Sequence, residues 1–480
     1  MPDSQKVYVN GINAVTGEYL FEPRTIAELA KNIKGEEDIG ILRWLQRIWT
    51  RLSAPHLGLD IDPTDLTSAG WGIVFHENES DLVKQALEPL VRHRREKVGS
   101  DSLVKVLEYR SNEKLKDWLG RYDLTFGVKD PAKVPYYLLL VGGPEKIPFL
   151  FGHQLDVEYA VGRLDFDLPV DYAAYADSLI DYETSAAVPN GREAVFFGTR
   201  HKFDNATQLS ADLLVAPLAD GQPASGPALP QPGVAQEFNF RARKLWGADA
   251  TKAALTQAFC PPAGGKPPAF LFSASHGMGW PSGDKDQMAK QGALLCQDWP
   301  GFGRIAPEHY FAASDVPPEA QVHGLVAFHF ACYGAGTPAS DRFVHEPGVP
   351  PEAIAPRPFT AALPKALLSH AHGSALAVIG HVERAWGYSI QTAEAGPQIK
   401  PFYNTIGRIL YGQPVGYAVK DFNEKYASLS TGLSAMLESK GYGEKVPDTE
   451  LVTAWIERND AEGYVVLGDP AVCLRVNDLM

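Results

Sequence analysis

The sequence predicts an α/β protein with a largely parallel central sheet, and three observations carry that expectation. Short apolar runs closed by glycine, such as 136–143 and 374–380, read as strands buried on both faces. Helical stretches lie between them, which is the rhythm of βαβ units. Two further apolar runs, 269–275 and 324–331, lead directly into reactive side chains, His276 and Cys332. Ligand chemistry in parallel sheets gathers at the carboxyl ends of the strands. A His and a Cys 56 positions apart, at two such ends, are therefore expected to face one crevice.

The chain opens with an irregular stretch and then a helix expected over 36–52. There Ile39, Ile41, Leu42, Leu45, Ile48 and Trp49 recur at helical spacing. Residues 1–65 form an N-terminal extension in this reading, and a first α/β block follows over 66–190. Its strands are 71–75, 103–107, 136–143 and 160–164; its helices are 81–93, 112–122 and 170–182. The second block, 191–480, opens with a strand at 194–198 and a helix at 205–218. Proline, glycine and alanine mark 217–233 as a loop. A strand at 238–243 and a helix at 251–259 lead to the two reactive strands. Residues 336–358 carry several prolines and little pattern. They read as a long loop beside the cysteine, expected to order as a flap over the site. A helix at 359–372, a strand at 374–380, a helix at 402–425 and a strand at 464–470 complete the series.

Composition narrows the function classes. With 480 residues, 45% hydrophobic and 21% charged, a sizeable core is available. A net charge of −14 argues against a phosphate-binding surface, so no nucleic-acid partner is expected. No apolar run is long enough to span a bilayer, and the start lacks a basic stretch followed by an apolar one. A cytoplasmic protein without a membrane partner is the expectation. The cysteines, Cys260, Cys296, Cys332 and Cys473, form no CxxC pair, which fits reduced thiols. Three of them read as small core residues; Cys332 is set apart by its position.

No HExxH or Cys/His cluster is present, so no metal is expected, and no GxSxG elbow anchors a serine hydrolase. Gly334-x-Gly336-x-x-Ala339 superficially fits a dinucleotide fingerprint, but Pro338 and the prolines beyond do not open a helix. No cofactor is expected. A cysteine nucleophile instead needs a proton acceptor and donors for the developing oxyanion. His276 supplies the first. Gly277 lets backbone approach closely, so its N–H and that of Cys332 are the expected oxyanion donors.

Ser275-His276-Gly277 and Ala331-Cys332-Tyr333-Gly334 resemble the catalytic signatures of the caspase–gingipain–legumain clan of cysteine peptidases. Four further segments resemble its gingipain-type branch and the related bacterial CHAT and caspase-like proteases. These are 138–143 with Ile147-Pro148 behind it, 159–164, 412–418 and 467–471. The resemblance covers roughly Trp71 to the C-terminus. It implies a three-layer α/β/α caspase-like fold in which a subdomain lacking the dyad precedes one that carries it. It also implies a cysteine endopeptidase acting on protein or peptide substrates, with His roughly 50 positions before Cys as in caspases. An intracellular role in regulated cleavage, including bacterial antiviral defence or cell death, and a regulatory protein partner belong to the same implication.

In arginine-specific gingipains an aspartate near the segment equivalent to Asp156 lines the pocket for the side chain before the cut. Asp156, with Glu383 as a second acid and Trp386 as a pocket wall, is thus expected to bind substrate and favour Arg or Lys there. Arg384 keeps an aspartate preference open. The alternative is a catalytically silent caspase-like scaffold that binds a partner protein.

Overall fold

Ten strands pair into one continuous sheet. In chain order they are β1 (Trp71–His76), β2 (Val104–Tyr109), β3 (Tyr137–Val141), β4 (Ala160–Leu164) and β5 (Gly191–Gly198). There follow β6 (Arg241–Trp246), β7 (Pro268–Ala274), β8 (Val326–Phe330), β9 (Ala377–His381) and β10 (Tyr464–Gly468). The computed structural model describes residues 6–33, 61–223, 230–341, 343, 350–387, 390–391 and 397–480. The helix expected over 36–52 lies outside them.

The strand order is β6-β5-β7-β8-β9-β10-β4-β3-β1-β2. Every neighbouring pair is parallel except β9 and β10, which are antiparallel. The sheet is therefore two parallel halves running in opposite senses, joined at that one seam. By direction β10 belongs to the half built by β1–β4, although in sequence it follows the other half. Both faces are covered. Ile73, Phe75, Leu139 and Val141 enter one core, whereas Val74, Leu138 and Leu140 enter another. Alternate residues of one strand point to opposite faces, so two apolar faces make an unbroken apolar run. The three-layer α/β/α arrangement follows.

Three of the short segments noted above meet at the carboxyl end of β10, beside the seam. A Cβ on Gly162 would lie 2.3 Å from the Gly468 carbonyl, and one on Gly416 would lie 2.7 Å from Pro470. The Gly416 and Val415 amides donate to the carbonyls of Pro470 and Val472. Close backbone approach, which only glycine allows, explains Gly162, Gly416 and Gly468.

Several boundaries differ from the sequence reading. Residues Phe359–Thr360 pair with Gly336–Thr337 as strands, and the helix begins later, at Ala362–Leu368. The helix expected at 402–425 is three, Lys400–Tyr411, Val415–Ala418 and Lys420–Gly441. Gly412, at φ 89°, ends the first, and Pro414 follows it. Helix Asp448–Gly463 was not expected; buried polar residues such as Arg458, Asp460 and Glu462 blur its apolar stripe.

At the carboxyl ends of β7 and β8 sits a small sheet of Tyr310–Phe311, Leu294–Leu295, Gly277–Gly279 and Gly11–Asn13. Its last strand comes from the stretch read as irregular. Among the described residues no helix is long and apolar enough to cross a membrane.

Candidate active site

Strands β7 and β8 are parallel neighbours, with Phe272 opposite Phe328, so their carboxyl ends lie side by side. His276 follows the first and Cys332 the second, and both are fully buried. A Cβ on Gly277 would stand 1.8 Å from the Cys332 carbonyl oxygen. Glycine after the histidine is what lets the two segments touch. Beyond the cysteine the chain turns through Tyr333 at φ 59°, whose amide donates to the Glu383 carbonyl at 2.7 Å. Glu383 itself sits at φ 70°. Left-handed backbone at two non-glycine residues costs about 1–3 kcal/mol each and persists only where surroundings enforce it, commonly at functional sites.

Asp204 completes the group, and sequence reasoning missed it. It follows β5, on the other side of β7, and caps helix Asn205–Ser210 by accepting from the amides of Ala206 and Thr207. Its Oδ2 lies 2.7 Å from His276 Nε2, with both side chains fully buried. Its Oδ1 accepts from the Tyr19 hydroxyl at 2.5 Å. Burial pushes the Asp204 carboxyl up, but His276, Thr207 and Tyr19 outweigh that and hold it well below the usual carboxylate range. An ionised carboxylate on Nε2 fixes the proton there and leaves Nδ1 as the acceptor. That Nδ1 is buried and has no hydrogen-bond partner among the described residues. The signal available in the sequence was Asp-Asn-Ala-Thr after an apolar strand, the start of a capped helix.

Burial pushes the Cys332 thiol up to about 12, although the Ala385 amide donates to its sulfur at 3.3 Å. What buries it is the chain's own N-terminal segment. The Asn10 carbonyl oxygen accepts from the Gly277 amide at 2.9 Å and from the Cys332 amide at 3.1 Å. Those are the two donors expected to hold an oxyanion. A Cβ on Gly11 would stand 3.0 Å from the Cys332 sulfur. Tyr19, which bonds Asp204, packs edge-on against His276 with ring centroids 5.9 Å apart.

The other expected site residues divide. Trp386 is beside the site: it bridges to Val9 and packs on Trp455 and Phe343. Together with Val9, Phe21, Tyr333, Phe343 and Arg384 it lines a cavity of about 490 Å³. Ile354 and Glu352, from the described part of the loop after Cys332, close another wall. Glu383 is near, but its carboxylate pairs with Arg384 at 3.1 Å. Arg384 also forks onto Asp341 and lies over the Phe21 ring. Two acids thus already neutralise the buried Arg384 cation.

Asp156 is not brought to the site, which corrects the expectation. It accepts from the Val161 amide and sits in the opposite half, before β4. From β8 to β4 is three strand steps, about 14 Å at normal spacing. Its pocket neighbours are Tyr136, Lys129 and Asn423. The expected Arg or Lys preference can therefore not rest on Asp156.

No family model matches the chain, and no curated protein matches it. Two solved structures do. One, described as "Structure of Protease", is 12% identical over 84% of this chain and 78% of that chain, with TM-score 0.48. The other is the complex of Porphyromonas gingivalis RgpB pro- and mature domains, 13% identical over 85% and 80%, with TM-score 0.39. Likenesses this shallow decide neither family nor chemistry.

Proposed function

We propose that this chain is a cysteine endopeptidase. Cys332 is the nucleophile, His276 carries the proton, and the Gly277 and Cys332 amides stabilise the oxyanion. Asp204 is a positioning residue that fixes the imidazole tautomer. The observation that carries the reading is one peptide carbonyl, that of Asn10, held by both amides directly against the cysteine. Donors that converge on a carbonyl oxygen beside a nucleophile are what acyl transfer to sulfur requires. The regulated intracellular role suggested by the resemblance belongs to this proposal and rests on the resemblance alone.

One observation favours the scaffold alternative: the thiol is buried beneath a segment of its own chain. The two readings separate on a peptide-library cleavage profile of the purified protein, with Cys332→Ala and His276→Ala as matched variants. Each substitution is expected to lower cleavage about 10⁴-fold or more while circular dichroism stays unchanged. Equal turnover in Cys332→Ala would remove the peptidase assignment.

A further inference from the structure

Residues 8–13 lie in the site the way a substrate would. Tyr8 to Asn10 run antiparallel to 385–387: the Asn10 amide donates to the Ala385 carbonyl at 2.9 Å, and the Gly387 amide donates to the Tyr8 carbonyl at 3.2 Å. Val9 bridges Trp386 between them. This is strand addition, the usual way a site grips an extended peptide. At Asn10 the chain bends, with the Gly11 amide returning to the Val9 carbonyl at 2.9 Å. It then leaves along Gly277–Gly279 in parallel register.

The Asn10 side chain is fully buried in its own pocket. Its Nδ2 donates to Ser210 Oγ at 3.2 Å, and Gly387 stands against its Oδ1, where a Cβ would come within 3.6 Å. That Oδ1 has no hydrogen-bond partner among the described residues, and a side chain with no exposed surface leaves no room for a longer one. On the other side of the same peptide bond, Gly11 presses on the sulfur, so that even a methyl group at that position is crowded. The site thus holds one particular bond, preceded by a side chain in a closed pocket and followed by the one residue type that clears the nucleophile.

We propose that the chain is its own substrate: Cys332 cuts the Asn10–Gly11 peptide bond in cis. The inference rests on the cysteine-peptidase reading. Sulfur gives its proton to His276 and bonds to the Asn10 carbonyl carbon, and the oxygen becomes an anion held by the Gly277 and Cys332 amides. The bond to the Gly11 nitrogen breaks as His276 returns the proton to it, and Gly11 leaves as an amine. Water then adds to the Asn10 thioester and restores the thiol, leaving Asn10 as a carboxylic acid. One water crosses one peptide bond, and no oxidant or cofactor enters. Everything N-terminal to Gly11 is then free to leave the 385–387 edge, which opens to another peptide carrying a short uncharged polar residue before its cut.

The test follows the purified chain by intact mass and N-terminal sequencing over time. The expected result is a new N-terminus at Gly11, formed at a rate independent of protein concentration. Formation should be at least a hundredfold slower in Cys332→Ser and in His276→Ala. Equal cutting in Cys332→Ser would assign the break to spontaneous Asn–Gly chemistry and overturn the proposal. A rate that rises with concentration would overturn cutting in cis.

The variant Asn10→Lys separates the two readings, because a cation cannot seat beside Ser210 and the segment is displaced. If the wild-type bond stays intact while Asn10→Lys takes up a peptide acyloxymethyl ketone at Cys332, self-cleavage falls and the peptidase stands. An intact bond with no labelling of either protein would sink both.

Discussion

Each half of the sheet buries an ionic group, and the two groups are built differently. In the half formed by β1–β4 and β10, Arg94 donates Nε to Asp469 at 2.8 Å and forks onto Glu183 at 2.9 and 3.0 Å. His93 and Lys97 add to Glu183, at 2.7 and 3.1 Å, and the Trp71 indole adds to Asp469. Charges balance and the polar atoms face one another. In the other half, Asp204 and His276 are equally buried, yet His276 Nδ1 is left without a hydrogen bond among the described residues, and the Gly277 and Cys332 amides hold a carbonyl from another segment. Burial and pairing alone do not mark a site; an unused valence beside them does. A closed cluster ties elements together, whereas an open one has a position left for a reacting group.

The largest expected effect tests the open cluster. Asp204→Asn keeps the helix cap and much of the packing but removes the charge that fixes the histidine tautomer. We expect kcat/KM on a quenched peptide carrying the Tyr8–Asn13 sequence to fall about 10²–10⁴-fold. A purely structural role would change stability and leave the pH profile of the folded enzyme where it was. The expected outcome is a shifted profile with near-normal melting, and an unchanged profile would reduce Asp204 to a helix cap.

The closed cluster should behave in the opposite way. Glu183→Gln leaves Arg94 with only half its compensation, which should cost about 3 kcal/mol of stability, since breaking a buried pair strands a charge. The kcat/KM of the protein that remains folded should not change. Burial pushes Glu183 up, but Arg94, His93 and Lys97 outweigh it and hold the carboxyl well below its usual range. A lowered folded-state value gives stability that is present above about pH 4 and lost as pH falls below it. The gap between wild type and variant, read by urea unfolding, should therefore close in acid. A gap that is the same at pH 3 and pH 7 would show that packing, not charge, sets the difference.

The same contrast explains how much the sequence disclosed. The central strands were legible because both faces are buried: 269–274 and 326–330 read as apolar runs, and their polar side chains, Ser273 and His329, bond each other at 2.7 Å between the strands. His276 and Cys332 were legible because the parallel register of β7 and β8 turns two sequence positions into one place. The seam motifs were visible as segments, but their role is backbone packing at Gly162, Gly416 and Gly468. Short motifs do not distinguish a residue that reacts from one that merely clears space. Asp204 was hidden because a carboxylate before a helix is ordinarily a cap, and it is one here as well. The Val7–Asn13 stretch was passed over because two short strand segments, each completed by distant chain, carry too little pattern of their own. Asp156 was misplaced for a related reason: proximity to a motif in sequence says nothing about which half of the sheet the side chain joins.

The smallest expected effect on cleavage concerns Asp156, and it sharpens the comparison because this acid is buried but, among the described residues, has no arginine partner. Burial pushes its carboxyl up to about 8, with the Val161 amide and the Asn423 side chain only partly opposing that. The sign is the reverse of the Glu183 case. A raised folded-state value gives stability that is complete below about pH 4, where both states are protonated. It is lost at roughly 1.4 kcal/mol per pH unit as pH rises toward 8, because only the unfolded chain can ionise. Asn keeps an oxygen for the Val161 amide and never ionises. Asp156→Asn should therefore be more stable than wild type at pH 8 by about 5 kcal/mol, with the advantage vanishing near pH 4. The same variant should leave the preference for the residue before the cut unchanged, compared on peptides ending in Asn, Arg, Lys and Leu. A loss of selectivity in Asp156→Asn would return that acid to the substrate pocket and with it the case for a basic preference. A stability difference that ignores pH would mean the carboxyl reaches solvent and carries no burial penalty.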